Sequence, residues 1–511
     1  MAHNTLLPIL WLPFLLLLPL LLLLLKKPMN KPQKHFPPSP PKLPIIGNLH
    51  QFTKSGLSTH QNLWQLSQKY GPLMLLHLGR IPTLIISSAE AAKQALKDND
   101  LHCSSRPASS GSRRLTYNCL DIAYSPFGEY WRGIRKICAH ELFSVKRVQS
   151  YRSIREEEVV KMINSISDHF GSSSSSVNLT EKLFAFMAGI TFRVFFGTSF
   201  QGSYFEHDRF HRMIHDMEVM LSAFSAADFF PSGIGSTIDR ISGKHKEFDR
   251  VSGEIDRFLQ QVIDDHLKPG RTQQDHEDIV DVLLKIVKEQ SGFGDAQLGH
   301  NNIKAILLDL FLGGIDTGSI TMVWAMAELA TKPRVMKKAQ EEVRNCIGNR
   351  GKVTETDTEQ LYYLKIIIKE TLRLHPPGPL LLPRETTSHF KVLGYDIDPK
   401  TMVLINDWAI SRDPEFWKDP EEFIPERFHD SCVDFKGQHY EYLPFGAGRR
   451  ICPGMYMATT TMELGLANLL YCFDWKVPDG MKEEDINMEE TTGHTISLKD
   501  PLKLVPVRFS C

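Results

Sequence analysis

The order of apolar and polar positions divides the chain into three unequal parts. Leu6 to Leu25 (LLPILWLPFLLLLPLLLLLL) contains no charged residue, and about 20 apolar residues suffice to cross a bilayer as a helix. The run starts neutral, ends in leucine and is followed by Lys26-Lys27. Those flanks argue against a cleaved leader and put the rest of the chain on the cytosolic side. Pro8, Pro13 and Pro19 predict kinks within the span. Next, KHFPPSPPKLP (Lys34 to Pro44) predicts a stiff, extended connection, because proline fixes φ and removes donors. We expect a membrane anchor over 1–27, a proline-rich hinge over 28–47 and one mostly α body with a minor β portion over 48–511.

Within the body, Leu75 to Ser87 (LLHLGRIPTLIIS) and Phe390 to Ile405 (FKVLGYDIDPKTMVLI) each read as two apolar runs around a turn, the pattern of a β-hairpin. Ser88 is placed to cap a helix that starts SAEA. Gly171 to Ser176 (GSSSSS) is a low-complexity loop. Asn178-Leu-Thr is a glycosylation sequon that a cytosolic body would not use. Asn301 to Ala330 (NNIKAILLDLFLGGIDTGSITMVWAMAELA) is apolar almost all round and predicts a core helix. No internal repeat interrupts this reading.

Composition narrows the function. A net charge of −1 over 511 residues implies no basic face, so nucleic acid is not an expected partner. The eight cysteines form no C-x-x-C pair and no zinc-finger spacing, which points to reduced, mostly buried thiols.

One of them stands apart. Cys452 lies in FGAGRRICPG, Phe445 to Gly454, just ahead of the helical pattern MYMATTTMELGLANLL. Amides at a helix N-terminus favour a thiolate. Gly446, Gly448 and Gly454 permit tight turns and a close approach to something flat and bulky, and Arg449 and Arg450 suit carboxylates. These are the needs of a heme iron with a thiolate ligand. The stretch resembles the Phe-x-x-Gly-x-Arg-x-Cys-x-Gly signature of the cytochrome P450 superfamily, with Phe445, Gly448, Arg450, Cys452 and Gly454 at every specified position. The resemblance implies the P450 fold, with Cys452 as the metal ligand of heme b.

Three further stretches carry the same resemblance. Glu370 and Arg373 (KETLRLHPPGP) share a helix face at i, i+3, and PERF holds Arg427. The resemblance implies one structural charge network behind the cysteine loop. GGIDTG, Gly313 to Gly318, puts helix-weakening glycines around a carboxylate and a hydroxyl that need partners. The resemblance implies an oxygen groove over the heme, with Asp316 and Thr317 handling protons. Gly318 departs from the family's Thr or Ser, and we expect it to remove a hydroxyl from that groove. Trp131 and Arg135 (i, i+4) and Arg384 resemble contacts to the heme propionates.

Family analogy puts substrate contacts at 105–124, at Ile306, Leu310 and Gly313, at Leu380, Leu381 and Leu382, and around 492–495. The positions named suggest a mostly apolar pocket for a lipophilic small molecule. No dinucleotide or phosphate-binding loop is present, so NADPH acts only indirectly, through a membrane-bound NADPH-cytochrome P450 reductase that docks on the cysteine side, with Arg449 on that face. The hinge, PERF and GGIDT resemble the plant A-type branch, the 71 clan. That implies an endoplasmic-reticulum monooxygenase that takes dioxygen and oxidises a terpenoid, alkaloid or phenolic. Dehydration, oxidative coupling or rearrangement on the same fold stays open on account of Gly318, and so does a heme-binding sensor without catalysis.

Overall fold

The computed structural model describes residues 34–52, 56–168, 176–199, 207–222, 225–231, 233–271, 277–289, 298–491 and 493–509. The anchor, Lys26-Lys27, most of the serine loop and Thr492 lie outside these residues. The chain from Lys34 on is fastened to the body: the Leu75 N–H donates to the Pro38 carbonyl at 2.9 Å, and the Asp396 N–H to the His35 carbonyl at 2.7 Å. This part of the expected hinge is therefore docked backbone. Proline carbonyls remain good acceptors although proline donates nothing.

The first expected hairpin forms as β1 (Leu73–Leu78) and β2 (Ile81–Ile86), antiparallel, with Leu78 opposite Ile81. The second expectation needs correction. Phe390 to Ile405 holds three strands: β5 (Phe390–Val392) and β6 (Tyr395–Ile397) make a hairpin, while β7 (Met402–Ile405) leaves it. Gly394 and Lys400, both at positive φ, mark the turns that separate the three. β7 runs parallel to β2 and carries β4 (Arg384–Glu385) on its far edge, giving the sheet order β1-β2-β7-β4. A second small sheet joins β3 (Val177–Asn178), β9 (Lys503–Arg508) and β8 (Phe473–Lys476).

Helices make up most of the rest. The main ones here are α1 (Thr59–Tyr70), α2 (Glu129–Ile137), α3 (Arg152–Ser167), α4 (Leu179–Phe196), α5 (His207–Ser222), α6 (Ile234–Ile241), α7 (Lys244–Leu267), α8 (Ile279–Glu289), α9 (His300–Thr331), α10 (Pro333–Ile347), α11 (Tyr362–Leu374) and α12 (Met455–Cys472). The expected cap is present: Ser88 Oγ accepts the Ala91 N–H. α11 ends at Leu374, ahead of Pro376-Pro377, as the prolines require.

α9 runs unbroken through all three of its glycines. The reason is packing. A Cβ on Gly314 would lie 3.3 Å from Thr191 and Phe195, and one on Gly318 would lie 2.6 Å from Met187 Cε. Both residues face α4, which packs along α9, and the close fit of the two helices offsets glycine's poor helix propensity. Phe192 and Phe196 of α4 meet Phe258 of α7 and Phe311 of α9, with ring centroids 5.3–6.3 Å apart. The main apolar core is built around these elements and α12.

Candidate active site

Cys452 lies between a short turn, Gly448–Arg450, and the N-terminus of α12. Its N–H donates to the Phe445 carbonyl at 2.9 Å and closes the loop, and the Phe445 ring meets Phe435 edge-on at 5.3 Å. Gly446 and Gly448 both have φ of 69°, where a side chain is strained. A Cβ on Gly448 would also lie 2.6 Å from Leu96 O and Asp100 Oδ1. Gly454 is different: a Cβ there would stand 4.0 Å from Cys452 Sγ, so glycine keeps the space beside the sulfur clear. Burial pushes the Cys452 thiol up, against the Gly454 and Met455 amides and Arg135, which pull it down. The helix end alone therefore does not give the expected thiolate. Burial outweighs it, and a metal cation at the sulfur is what would reverse the balance.

Around this loop the fold gathers four guanidiniums, with Arg106, Arg384 and Arg450 buried and Arg135 half-buried. Arg450 donates to the carbonyls of Ser104 (2.8 Å), Ile122 (3.1 Å) and Ser125 (2.6 Å), and lies 4.0 Å over the Trp131 ring. Trp131 Nε1 donates to Ile122 O at 3.0 Å. The cation on Trp131 is thus Arg450, and Arg135 instead reaches the Ile451 carbonyl. Arg384 donates to Ala447 O at 2.9 Å. Arg106, unremarked in the sequence, donates to Ala123 O (2.9 Å) and Pro383 O (2.8 Å).

Among the described residues, the one ion pair these four arginines make is Arg384–Asp100, at 3.4 Å. Burial comes first in lowering all four, and neighbouring guanidiniums lower Arg106 and Arg450 further, Arg450 to about 9. Such a surplus of buried positive charge is costly unless a buried anion answers it. A flat group with two carboxylates beside a thiolate ligand fits this donor set, and heme is such a group. Arg449 is half exposed and paired with Asp100 at 2.6 Å, so part of its charge is already answered.

On α9, Gly313 is exposed in an otherwise buried helix, and a Cβ there would meet nothing within 4 Å. Thr317, one turn on, donates to the Gly313 carbonyl at 2.8 Å, the back-bonding common for a helical threonine. Gly318 does not border this opening. It faces Met187, so its lack of a hydroxyl is a matter of α4 packing, and the expectation that it thins the groove is corrected. Ile306 and Leu310 are buried in the main core. Leu380 and Leu381 are partly buried against smaller clusters, and the Leu382 carbonyl accepts from Arg106.

A polar cavity borders α9, and the expected apolar contacts Ile306, Leu310, Gly313, Leu380, Leu381 and Leu382 do not line it. It has a volume of about 1330 Å³ and extends from Asp316 and Ile320 past His494 and Thr495 to Glu489 and Lys499. A second acid on α9, Asp309, accepts the N–H groups of Ile122 (2.6 Å) and Ala123 (3.0 Å). It sits against Asp121, and burial with the Asp121 charge pushes it well above the usual carboxylate range. Asp309 thereby holds the loop whose carbonyls receive Trp131, Arg106 and Arg450. Its signal in the sequence was a lone Asp in an apolar helix, and nothing nearby named its partner.

Behind the cysteine loop, Glu370 accepts from Arg373 Nε (2.7 Å), Arg373 Nη2 (2.9 Å), Arg427 Nε (2.9 Å) and the Ile424 N–H (2.8 Å). Glu370 and Arg373 are fully buried.

The cytochrome P450 family model matches residues 37–505. The chain belongs to the cytochrome P450 family. It is 52% identical to cytochrome P450 71B36 of Arabidopsis thaliana over 94% of this chain and 95% of that one. Cytochrome P450 71B37 of the same plant is 51% identical, over 98% of each chain. A solved zebrafish cytochrome P450, in a structure with abiraterone, shares 25% identity with a TM-score of 0.73, over 89% of this chain and 100% of that one. These relatives put the protein among the plant 71-clan P450s. It is a P450 monooxygenase acting on a small molecule, with a cysteine-ligated heme and electrons from a reductase. Cys452 would hold the heme, which would supply dioxygen binding and activation. Arg106, Arg135, Arg384 and Arg450 would hold its propionates, and Gly454 leaves it room beside the sulfur.

Proposed function

We propose that this P450 inserts one oxygen atom into a lipophilic plant specialised metabolite (a terpenoid, alkaloid or phenolic), with NADPH-cytochrome P450 reductase as the electron donor. The observation that carries the reading is the cluster of three buried arginines and the half-buried Arg135 around the Cys452 loop, a site suited to an anionic, thiolate-ligated cofactor. In the proposed cycle Asp316 and Thr317 move protons at the open face of α9, and Gly313 leaves space there. The rival without net oxygen insertion leaned on Gly318, and the contact with Met187 removes that support.

The protein is proposed to sit on the endoplasmic-reticulum membrane with its body in the cytosol. The uncharged run Leu6 to Leu25 supports this. So does an exposed stripe on α6, where Ile234, Ile238 and Ile241 are 61%, 47% and 81% exposed, an amphipathic face suited to a lipid surface.

The deciding experiment is the absorption spectrum of the reduced, carbon-monoxide-bound protein beside Cys452→Ser. A thiolate-type Soret band that the variant loses is expected. A folded, heme-loaded protein without that band would overturn the reading.

A further inference from the structure

α5 carries an acid that reaches α9. The Glu218 carboxyl lies beside the Asp316 side chain in one cavity, and Thr495 Oγ1 donates to Glu218 Oε1 at 3.2 Å. Both acids line the cavity that leads out past His494 to Lys499. Asp316 Oδ2 is buried and has no hydrogen-bond partner in the protein. Burial and the neighbouring Asp316 charge both disfavour an ionised Glu218, so Glu218 keeps its proton.

The other charged or titratable groups around the pair do not replace that proton. His215 of α5 lines the same cavity, as does Glu328 three turns further along α9. From the 493–495 turn comes His494, whose imidazole is lowered chiefly by burial, against the Asp316 charge, which raises it, and with Arg106, which lowers it further. Among the described residues no Lys or Arg makes an ion pair with Asp316 or Glu218.

We propose that Glu218 is the proton-supplying partner of Asp316 in dioxygen activation, drawing protons from the solvent end of the cavity. The proposal rests on the monooxygenase reading above. The proton balance is simple. The Glu218 carboxylic acid gives its proton to the Asp316 carboxylate, and the Glu218 carboxylate then takes one from water in the cavity. One proton enters for each that Asp316 passes on, and no electrons move. Burial and the Asp316 charge, which raise Glu218 to about 9, keep it loaded at neutral pH. Glu218 is here a positioning and supply residue, since nothing puts it against the reacting atoms.

The test uses the heme-loaded full chain and Glu218→Gln, which keeps the shape and a hydrogen-bond donor but releases no proton. The first readout is the infrared C=O stretch of protonated carboxyls. Asp309 contributes a band of its own, so the wild-type minus Glu218→Gln difference isolates Glu218. We expect one band at pH 7 that disappears as pH rises through about 9. In the reductase-reconstituted enzyme without substrate, the variant should release severalfold more hydrogen peroxide per NADPH, with a larger solvent deuterium effect. Substrate-free turnover is the probe because the substrate is unidentified. If Glu218→Gln does not fold, Asp316→Asn serves: removing that charge should move the Glu218 titration to lower pH. No difference band, an unmoved titration in Asp316→Asn, or wild-type peroxide release in Glu218→Gln would overturn the proposal. Absence of the thiolate Soret band would instead sink the monooxygenase reading while leaving the infrared result intact, so the two failures are distinguishable.

Discussion

The two sides of Cys452's neighbourhood solve opposite problems with the same residue types. Behind the loop, the carboxylate of Glu370 has four donors, and the remaining N–H groups of Arg373 reach the carbonyls of Ser411, Pro420 and Glu422. Arg373 and Arg427 share this one carboxylate, and carbonyls take up their other N–H groups. Along α9, Asp316 keeps an unpartnered oxygen, burial raises Asp309 against Asp121, and burial raises Glu218 of α5 beside Asp316. A satisfied buried network rigidifies, whereas a partly satisfied one holds groups ready to exchange protons. The first kind suits a ligand loop that must not shift. The second suits a place where protons arrive from water.

The largest break in this contrast should come from Glu370→Ala. It strands Arg373 and Arg427 without their anion, at about 3–5 kcal/mol. We expect the yield of heme-loaded protein to collapse and the unfolding midpoint in denaturant to fall. A variant with wild-type stability would show the network to be dispensable.

Thr317→Ala should behave in the opposite way. Its hydroxyl bonds only the Gly313 carbonyl, so stability should stay within about 1 kcal/mol, while peroxide release per NADPH rises roughly tenfold. A stability loss with unchanged peroxide release would move Thr317 to the structural side of the comparison.

The pH dependence sharpens the contrast further. The folded pKa of Glu218 is raised from the usual 4.5 to about 9, and that of Asp309 is raised too. The native state therefore holds protons that the unfolded chain releases. Their contribution to stability is fully present below pH 4.5 and is lost as pH rises towards about 9. Unfolding free energy measured across that window should fall with pH, and less steeply in Glu218→Gln or Asp309→Asn. Equal slopes in wild type and variants would contradict the raised pKa values.

The smallest effect is expected from Gly318→Ser, which restores the hydroxyl common in the family. Its Cβ would crowd Met187 Cε, the flexible end of a long side chain, at a cost of about 1 kcal/mol. Peroxide release should not change. If it did, the hydroxyl would reach the groove after all.

Much of the site was legible in the chain itself because its motifs are local. Phe445 to Gly454 is one continuous loop, Glu370 and Arg373 are one helical turn apart, and Asp316 and Thr317 are adjacent. Arg106, Asp121, Asp309, Glu218 and His494 were not legible in the same way. Arg106, Asp121 and His494 fall inside stretches expected to touch substrate, but nothing local named their partners, and Asp309 and Glu218 meet Asp121 and Asp316 on distant segments. The sequence alone also misjudged Gly318, because which face of α9 meets α4 is a packing outcome.

By itself the sequence determined the candidate cysteine loop, the helical class, the apolar N-terminal run and the charge pair behind the loop. Spacing and local chemistry specify these without reference to the rest of the chain. Only the tertiary structure decided which cations gather around Cys452, which cation covers Trp131 and which acid answers Asp316. Those depend on burial and on contacts between distant segments, and both come into being only when the chain has folded.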